Sequence, residues 1–171
     1  MTIRRLRPDD AADFQALRLA ALLDTPEAFA SSHEEEQGLP LDEVARRFGR
    51  DAGPGVLGAW HEGALVGVVG LRRQPLRKLS HKAEIWGMYV APAARGLGLA
   101  RQLMEAVLAL ARETAGIAKV TLSVDAANVA AIALYESLGF VVFGRESDAM
   151  RIGTDVRNDL QMSLSLHPAG A

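Results

Sequence analysis

From Val90 to Arg101 the chain reads Val-Ala-Pro-Ala-Ala-Arg-Gly-Leu-Gly-Leu-Ala-Arg. Two glycines, a small residue at Ala100 and the arginines Arg95 and Arg101 lie between a β-rich run and a long amphipathic pattern. The first N–H groups of a helix have no partner inside it. Together with the helix dipole they make a site for an anion. Side chains at Gly96 or Gly98 would obstruct close approach to that backbone. The segment therefore has the composition of a phosphate cradle. A dinucleotide fingerprint needs a third glycine where Arg101 stands. A nucleotide P-loop needs Gly-Lys followed by Ser or Thr, which is missing here. The structural alternative is a bare turn made by two glycines.

The elements that must position this cradle follow from hydrophobic period and turn chemistry. Ile3 to Arg7 reads as a short strand, ended by Pro8-Asp9-Asp10, which also supplies acidic residues for a helix start. Phe14, Leu17, Ala21 and Leu22 recur at helical spacing between Ala11 and Leu23. Thr25-Pro26 interrupts that helix, and Glu27 to Pro40 shows no clear core pattern. Leu41 to Phe48 reads as a second short helix, and Gly49 to Gly55 as a loop. Val56 to Trp60 and Ala64 to Leu71 then form a hairpin about His61-Glu62-Gly63. A basic connection leads to the strand Ala83 to Val90. The helix after the cradle runs from about Leu97 to Thr114, with Leu99, Leu103, Val107, Leu110 and Ala111 as its apolar stripe. A strand at Val120 to Val124, a helix from Asn128 to Leu138 closed by Gly139, and strands at Phe140 to Phe143 and Leu160 to Leu166 complete the order. The result is a mixed α/β layer with a largely antiparallel start and one central crossover.

Arg95-x-x-Gly98-x-Ala100 has the form Arg/Gln-x-x-Gly-x-Gly/Ala, and so resembles the pyrophosphate motif of the Gcn5-related N-acetyltransferase (GNAT) superfamily. Met88-Tyr89-Val90 ahead of Pro92, the hairpin at Gly63, Asn128, and Tyr135 ahead of Leu138-Gly139-Phe140 fall in register with the same family. The resemblance thus covers nearly the whole chain. It implies an α/β, GNAT-like acyl-CoA N-acyltransferase fold. Its mixed central sheet would have antiparallel N-terminal strands and a parallel, splayed pair at the centre, flanked by helices. Residues 1–166 would form a single N-acetyltransferase domain, with 167–171 a flexible tail. Acetyl-CoA would be the co-substrate. Its pyrophosphate would meet the N–H groups of Gly96, Leu97, Gly98, Leu99, Ala100 and Arg101, with charge added by Arg95 and Arg101. Free backbone groups of Met88, Tyr89 and Val90 would pair with the pantetheine amides and polarise the thioester carbonyl.

Acetyl transfer to an amine requires the amine to lose a proton and the CoA thiolate to leave. Alkyl amines titrate near 10.4, so a carboxylate that accepts the proton is useful. Glu84 is the candidate. By period two it shares a strand face with Trp86, Met88 and Val90. Burial in an apolar strand would strengthen it as a base. The histone-acetylating branch of the family has its catalytic glutamate at the matching position. The alternative is an ion pair with Lys82 or an arginine at the wet end of the strand. At Tyr135 the resemblance implies the acid that protonates the departing thiolate; a core aromatic with a satisfied hydroxyl is the other reading. Asn128 suits a helix N-cap, and the resemblance adds a contact with the cofactor. Glu34-Glu35-Glu36 reads either as a solvated charged turn or as carboxylates that draw a cationic acceptor. Trp60 and Trp86 read as core or acceptor-pocket walls. His33, His61, His81 and His167 show no ligand spacing, so no metal is expected.

Bulk composition narrows the partners. A chain of 171 residues can bury a core without staples. With no cysteine, disulfides and thiolate catalysis are excluded. Nineteen basic against 21 acidic residues, net −2, argue against nucleic acid as a partner. No apolar run approaches the roughly 18 residues of a membrane span, and the N-terminus lacks the apolar centre of a signal peptide. A cytoplasmic location away from membranes is the expectation. The motifs define the donor, not the acceptor, which is a small-molecule or peptide/protein amine attacking directly in a ternary complex. A homodimer is compatible with the resemblance. The competing reading is a non-catalytic acyl-CoA-binding regulatory module.

Overall fold

The computed structural model describes residues 1–49 and 53–166. The tail expected at 167–171 lies outside the described residues, as does the middle of the loop at 49–55. In chain order the elements are β1 (Thr2–Arg5), α1 (Ala11–Asp24), α2 (His33–Glu36), α3 (Leu41–Ala45), β2 (Val56–His61), β3 (Ala64–Arg73), β4 (Lys82–Val90), α4 (Leu99–Glu113), β5 (Lys119–Asp125), α5 (Val129–Ser137), β6 (Val141–Ile152) and β7 (Asp155–Ser165). The strands form a seven-stranded sheet ordered β1-β2-β3-β4-β5-β7-β6. Among the described strands only β4 and β5 run parallel. The α/β expectation, with its antiparallel start and central crossover, is borne out.

Each face of the sheet carries its own apolar cluster. α4 lays Leu99, Leu103, Met104, Val107, Leu108 and Ala111 on one face, against Leu57, Val69, Leu71 and Ile85. On the other face, Phe14, Leu17, Ala21 and Leu22 of α1 meet Val44, Phe48, Val56, Val68 and Tyr89. Two rows of α4 side chains rather than a single stripe are needed to cover a twisted sheet. α1 starts where the sequence places it. Asp10 accepts the Arg7 N–H at 2.7 Å and both terminal nitrogens of Arg4 at 2.7 and 2.8 Å, which ties the helix start to β1.

Two local features of β4 shape the space beside it. Its parallel register with β5 covers only Lys82 with Lys119, Ala83 with Val120, and Glu84 with Thr121. Beyond that point β5 pairs only with β7, β4 pairs only with β3, and a wedge opens between them. The second feature is a bulge. Trp86 pairs with Gly70 and Tyr89 with Val68, so Gly87 and Met88 together face a single residue of β3. Gly87 takes φ +63°, a left-handed conformation that glycine adopts freely. The extra residue reverses the alternation. Trp86 and Tyr89 both lie on the α1 face, whereas Ile85, Met88 and Val90 pack toward α4. The expectation that Glu84, Trp86, Met88 and Val90 share one face is therefore corrected beyond Gly87.

Other differences have similar causes. α2 has no counterpart in the hydrophobic period, because it is a single turn set by a capping box between Ser32 and Glu35. α4 begins at Leu99 rather than Leu97, because Gly98 at φ +73° is not helical. The last two strands are far longer than their apolar runs suggest. β6 is exposed along most of its length and includes Arg145, Glu146 and Asp148, so it lacks the alternation that marks a half-buried strand.

At Gly70 a methyl group would overlap the Trp86 indole across the strand pair. Gly70→Ala is expected to destabilise the fold by about 1–3 kcal/mol, the usual cost of overpacking. Urea denaturation followed by tryptophan fluorescence measures it, and an unchanged midpoint would mean that Trp86 is free to move aside.

Candidate active site

The wedge between β4 and β5 is the mouth of a cavity of about 930 Å³. Its walls include Glu84 to Val90 from β4, Leu122 to Asp125 from β5, Asn128, Leu134 and Tyr135 beside or on α5, and Thr25 and Glu27 to Ser31 from the segment after α1. A smaller recess of about 330 Å³ adjoins it at the start of α4 and is lined by Gly96, Gly98, Leu99, Ala100 and Arg101. Val90, Arg95, Ala100 and Leu134 border both spaces. The structure thus gathers Glu84, Met88, Tyr89, Val90, Arg95, Ala100, Asn128 and Tyr135 around one cavity. Leu97, 49% exposed, lines neither space.

At the recess, Gln102 is the first residue of α4 to close a helical bond, to the Gly98 carbonyl at 3.2 Å. Among the described residues, no backbone partner takes the N–H groups of residues 96 to 101. Gly96 and Gly98 have φ of +80° and +73°. A Cβ on Gly96 would meet nothing within 4 Å, and one on Gly98 only Gln102 Nε2 at 3.8 Å. Backbone conformation, not crowding by protein atoms, accounts for these glycines. Of residues 96 to 101, Gly96, Gly98, Leu99, Ala100 and Arg101 line the recess.

The two arginines differ in what they do. Arg101 donates to Ser137 Oγ at 2.7 Å and so links α4 to α5 beside the recess. Arg95 donates from Nε to the Val90 carbonyl at 3.0 Å and from Nη2 to the Asp24 carboxylate. The Arg95 charge is matched by Asp24, while its side chain still borders the recess. Arg95 pins the cradle to the end of α1. Its hydrogen bond, joined by one from Tyr89, holds the Asp24 carboxyl below the usual carboxylate range.

Tyr89 is buried, and its hydroxyl donates to Asp24 Oδ2 at 3.0 Å. Its side chain is structural, which leaves its backbone on the wedge. Asn128 Oδ1 accepts the Ala131 N–H at 3.1 Å and caps α5 while lining the cavity. Tyr135 is 7% exposed, its ring tilts against Phe140, and its hydroxyl has no hydrogen-bond partner among the described residues. Burial pushes its phenol up to about 12. Glu84 ends the β4–β5 pairing, opposite Thr121. Its side chain is 33% exposed and bonds Arg72 Nη2 at 2.6 Å across the β3–β4 pair, which is the alternative ion-pair reading. It nevertheless faces the cavity.

Sequence reasoning missed a buried charge. Glu36 is 4% exposed, not a solvated residue of a charged run. Arg18 Nη2 bonds it at 2.9 Å, Arg47 Nη1 bonds it at 2.9 Å, and Ser31 Oγ donates to it. Glu34 to Glu36 do not line the cavity; Arg18 and Ser31 do. The signal was present, since Arg18 falls inside the apolar stripe Phe14, Leu17, Ala21 and Leu22 of α1. Also missed was the pair at the far rim, where Arg157 Nε bonds buried Asp125 at 2.6 Å. These partners come from distant parts of the chain. Among the described residues no cluster of His, Asp or Glu could hold a metal ion.

Comparison with known proteins places this geometry in context. Residues 17–140 match the family model described as Acetyltransferase (GNAT) family. A mycothiol acetyltransferase of Salinispora tropica is 36% identical over 142 residues, covering 82% of this chain and 44% of that protein. This chain thus spans less than half the length of that relative. Among solved structures, the GNAT-family acetyltransferase of Streptococcus pneumoniae superposes with a TM-score of 0.85 at 20% identity, covering 96% of this chain and 98% of that one. The Salmonella typhimurium protein yncA, with its cofactor acetyl-CoA, gives a TM-score of 0.81 at 24% identity over 100% of this chain and 96% of that one.

The Glu36 cluster sets a pH limit on stability. Burial alone raises the Glu36 carboxyl, but the hydrogen bonds from Arg18, Ser31 and Arg47 outweigh it and bring it to about 2. With the folded value depressed, the contribution is present above the unfolded value near 4.3 and is lost as pH falls toward the folded one. It amounts to about 3 kcal/mol. Denaturation midpoints should fall between about pH 5 and pH 2. In Glu36→Gln that part of the pH dependence should vanish, with lower stability at neutral pH. A variant with the same acid profile as wild type would place the acid-sensitive group elsewhere.

Proposed function

Because the chain belongs to the acetyltransferase (GNAT) family, we propose that it transfers the acetyl group of acetyl-CoA to a primary amine by direct attack in a ternary complex. The observation that carries this reading is continuity. Unpaired amides at the start of α4, the unpaired edge of β4 and the side chains of Glu84 and Tyr135 border two adjoining spaces. The Gly96 to Arg101 amides bind the pyrophosphate of the donor. The edge from Met88 to Val90 takes the pantetheine arm as an added strand and polarises the thioester carbonyl.

Two side chains then act on protons. Glu84 accepts the proton of the incoming ammonium directly or through water, held in place by Arg72. Tyr135 stays protonated throughout the neutral range, since burial holds its phenol near 12. Complete transfer of its proton to a thiolate near 8.5 is uphill by about 5 kcal/mol. Its role is accordingly that of a hydrogen-bond donor to the departing sulfur, which is milder than the full acid expected from sequence. The acceptor is a small molecule or an exposed peptide amine. The Salinispora relative is named for mycothiol, so a mycothiol-related acceptor belongs among the compounds tested. One observation favours the regulatory-module reading: Glu84 is already engaged by Arg72.

Release of free thiol from acetyl-CoA in the presence of an amine panel separates the two readings. Cofactor binding without thiol release from any acceptor favours the regulatory module. Gly98→Val should weaken acetyl-CoA binding about tenfold or more by filling the cradle, and unchanged affinity in a folded variant would remove the cradle assignment. Tyr135→Phe should lower kcat roughly tenfold to a hundredfold and leave the acetyl-CoA Kd within about twofold. An unaltered kcat would mean that water serves the sulfur instead.

A further inference from the structure

We propose that Arg18 is the anion-recognising residue of the acceptor site, so that the amine acceptor carries a carboxylate a short distance from its amine. The inference deepens, and rests on, the acetyl-transfer reading above. Four arginines line the cavity. Arg72, Arg95 and Arg157 each have a carboxylate of their own, in Glu84, Asp24 and Asp125. Arg18 shares Glu36 with Arg47, so two cations meet one anion and the cluster carries a net positive charge.

The unused donor points to the same conclusion. The Arg18 side chain is 9% exposed and lies over the Phe29 ring at 4.4 Å. Nε and Nη2 are engaged by Glu36 and Ser31. Nη1 has no partner among the described residues, although Arg18 reaches the cavity. Among the described residues Gln15 Oε1, not Arg18 Nη1, is the buried side-chain atom without a partner, so Nη1 is open to the cavity, where an anion can reach the surplus charge. Glu36, Ser31 and Phe29 hold it rigidly, so an incoming carboxylate would find its donor already oriented.

Position then limits the ligand. Nη1 lies 3.8 Å from where a Cβ on Gly87 would stand. The bulge glycine leaves that space open, and a side chain there would enter it. Gly87 directly precedes Met88 to Val90, where the thioester carbonyl is held in the proposed complex. At about 3.3 Å of rise per strand residue, the anion and the attacking amine are separated by roughly 3–10 Å. That distance is spanned by a few bonds, as in an amino acid or a similarly compact amino carboxylate.

The test uses the full chain loaded with CoA, so that no turnover occurs. Calorimetric titration compares L-leucine, L-phenylalanine and β-alanine with their carboxamides. At least one acid should bind about tenfold or more tightly than its amide, as a hydrogen bond to a charged group implies. Arg18→Lys and Arg18→Gln should remove that preference and leave amide binding and CoA binding within about twofold. The comparison of acid with amide in the wild type needs no variant, so it stands if Arg18→Gln fails to fold. Equal affinity for acids and amides, or binding by none of them, overturns the proposal. Thiol release from acetyl-CoA with amines but without a carboxylate preference overturns it and leaves the reaction in place. A carboxylate preference without thiol release from any acceptor supports the anion site and removes the reaction.

Discussion

Three register pairs join β4 to β5, and everything about the site depends on their ending at Glu84 and Thr121. Backbone groups left unmade in a buried position cost about 1–3 kcal/mol each. The wedge is stable because neither strand depends on the other to stay in place. β5 is paired with β7 along all seven of its residues, from Lys119 to Asp125, and β4 keeps β3 up to Val90. α4 covers the face on which Ile85 and Val90 lie. The open edge is therefore rigid backbone beside a cavity, which suits recognition by main-chain hydrogen bonds.

The bulge at Gly87 refines that edge. By reversing parity it sends Tyr89 toward α1, where its hydroxyl reaches Asp24, and leaves Val90 facing α4. Asp24 also holds Arg95, which in turn bonds the Val90 carbonyl. One carboxylate at the end of α1 thus connects the strand, the cradle and the first helix. A second carboxylate, Glu36, connects α1 to α2 and to Arg47 just beyond α3, and orients Arg18. The N-terminal helices act through these two anchors as a wall of the cavity, not merely as cover for the sheet.

Much of this was legible in the residues. The stripe on α1, the hairpin at Gly63, the cradle glycines and the cap at Asn128 are short-range features whose signals lie within a few positions of one another. Glu84, Asn128 and Tyr135, singled out from the residues, line one cavity. What escaped was of two kinds. The β6–β7 hairpin is held by pairing between exposed polar strands, which leaves no hydrophobic period to read. The ion pairs Arg18–Glu36, Arg95–Asp24 and Arg157–Asp125 join residues 18, 71 and 32 positions apart, and no local pattern indicates which carboxylate meets which arginine.

By itself the sequence determined most of the order of elements, the positions of the turn glycines and the residue types available for chemistry. Those follow from period, capping and the conformational freedom of glycine, all properties of neighbouring residues. The tertiary structure decided how those groups are used. It made Arg95 an anchor, gave Glu84 an arginine partner, raised the Tyr135 phenol by burial, and left one donor of Arg18 unmatched. Charge balance and desolvation depend on which distant groups share a volume, and only the folded chain sets that.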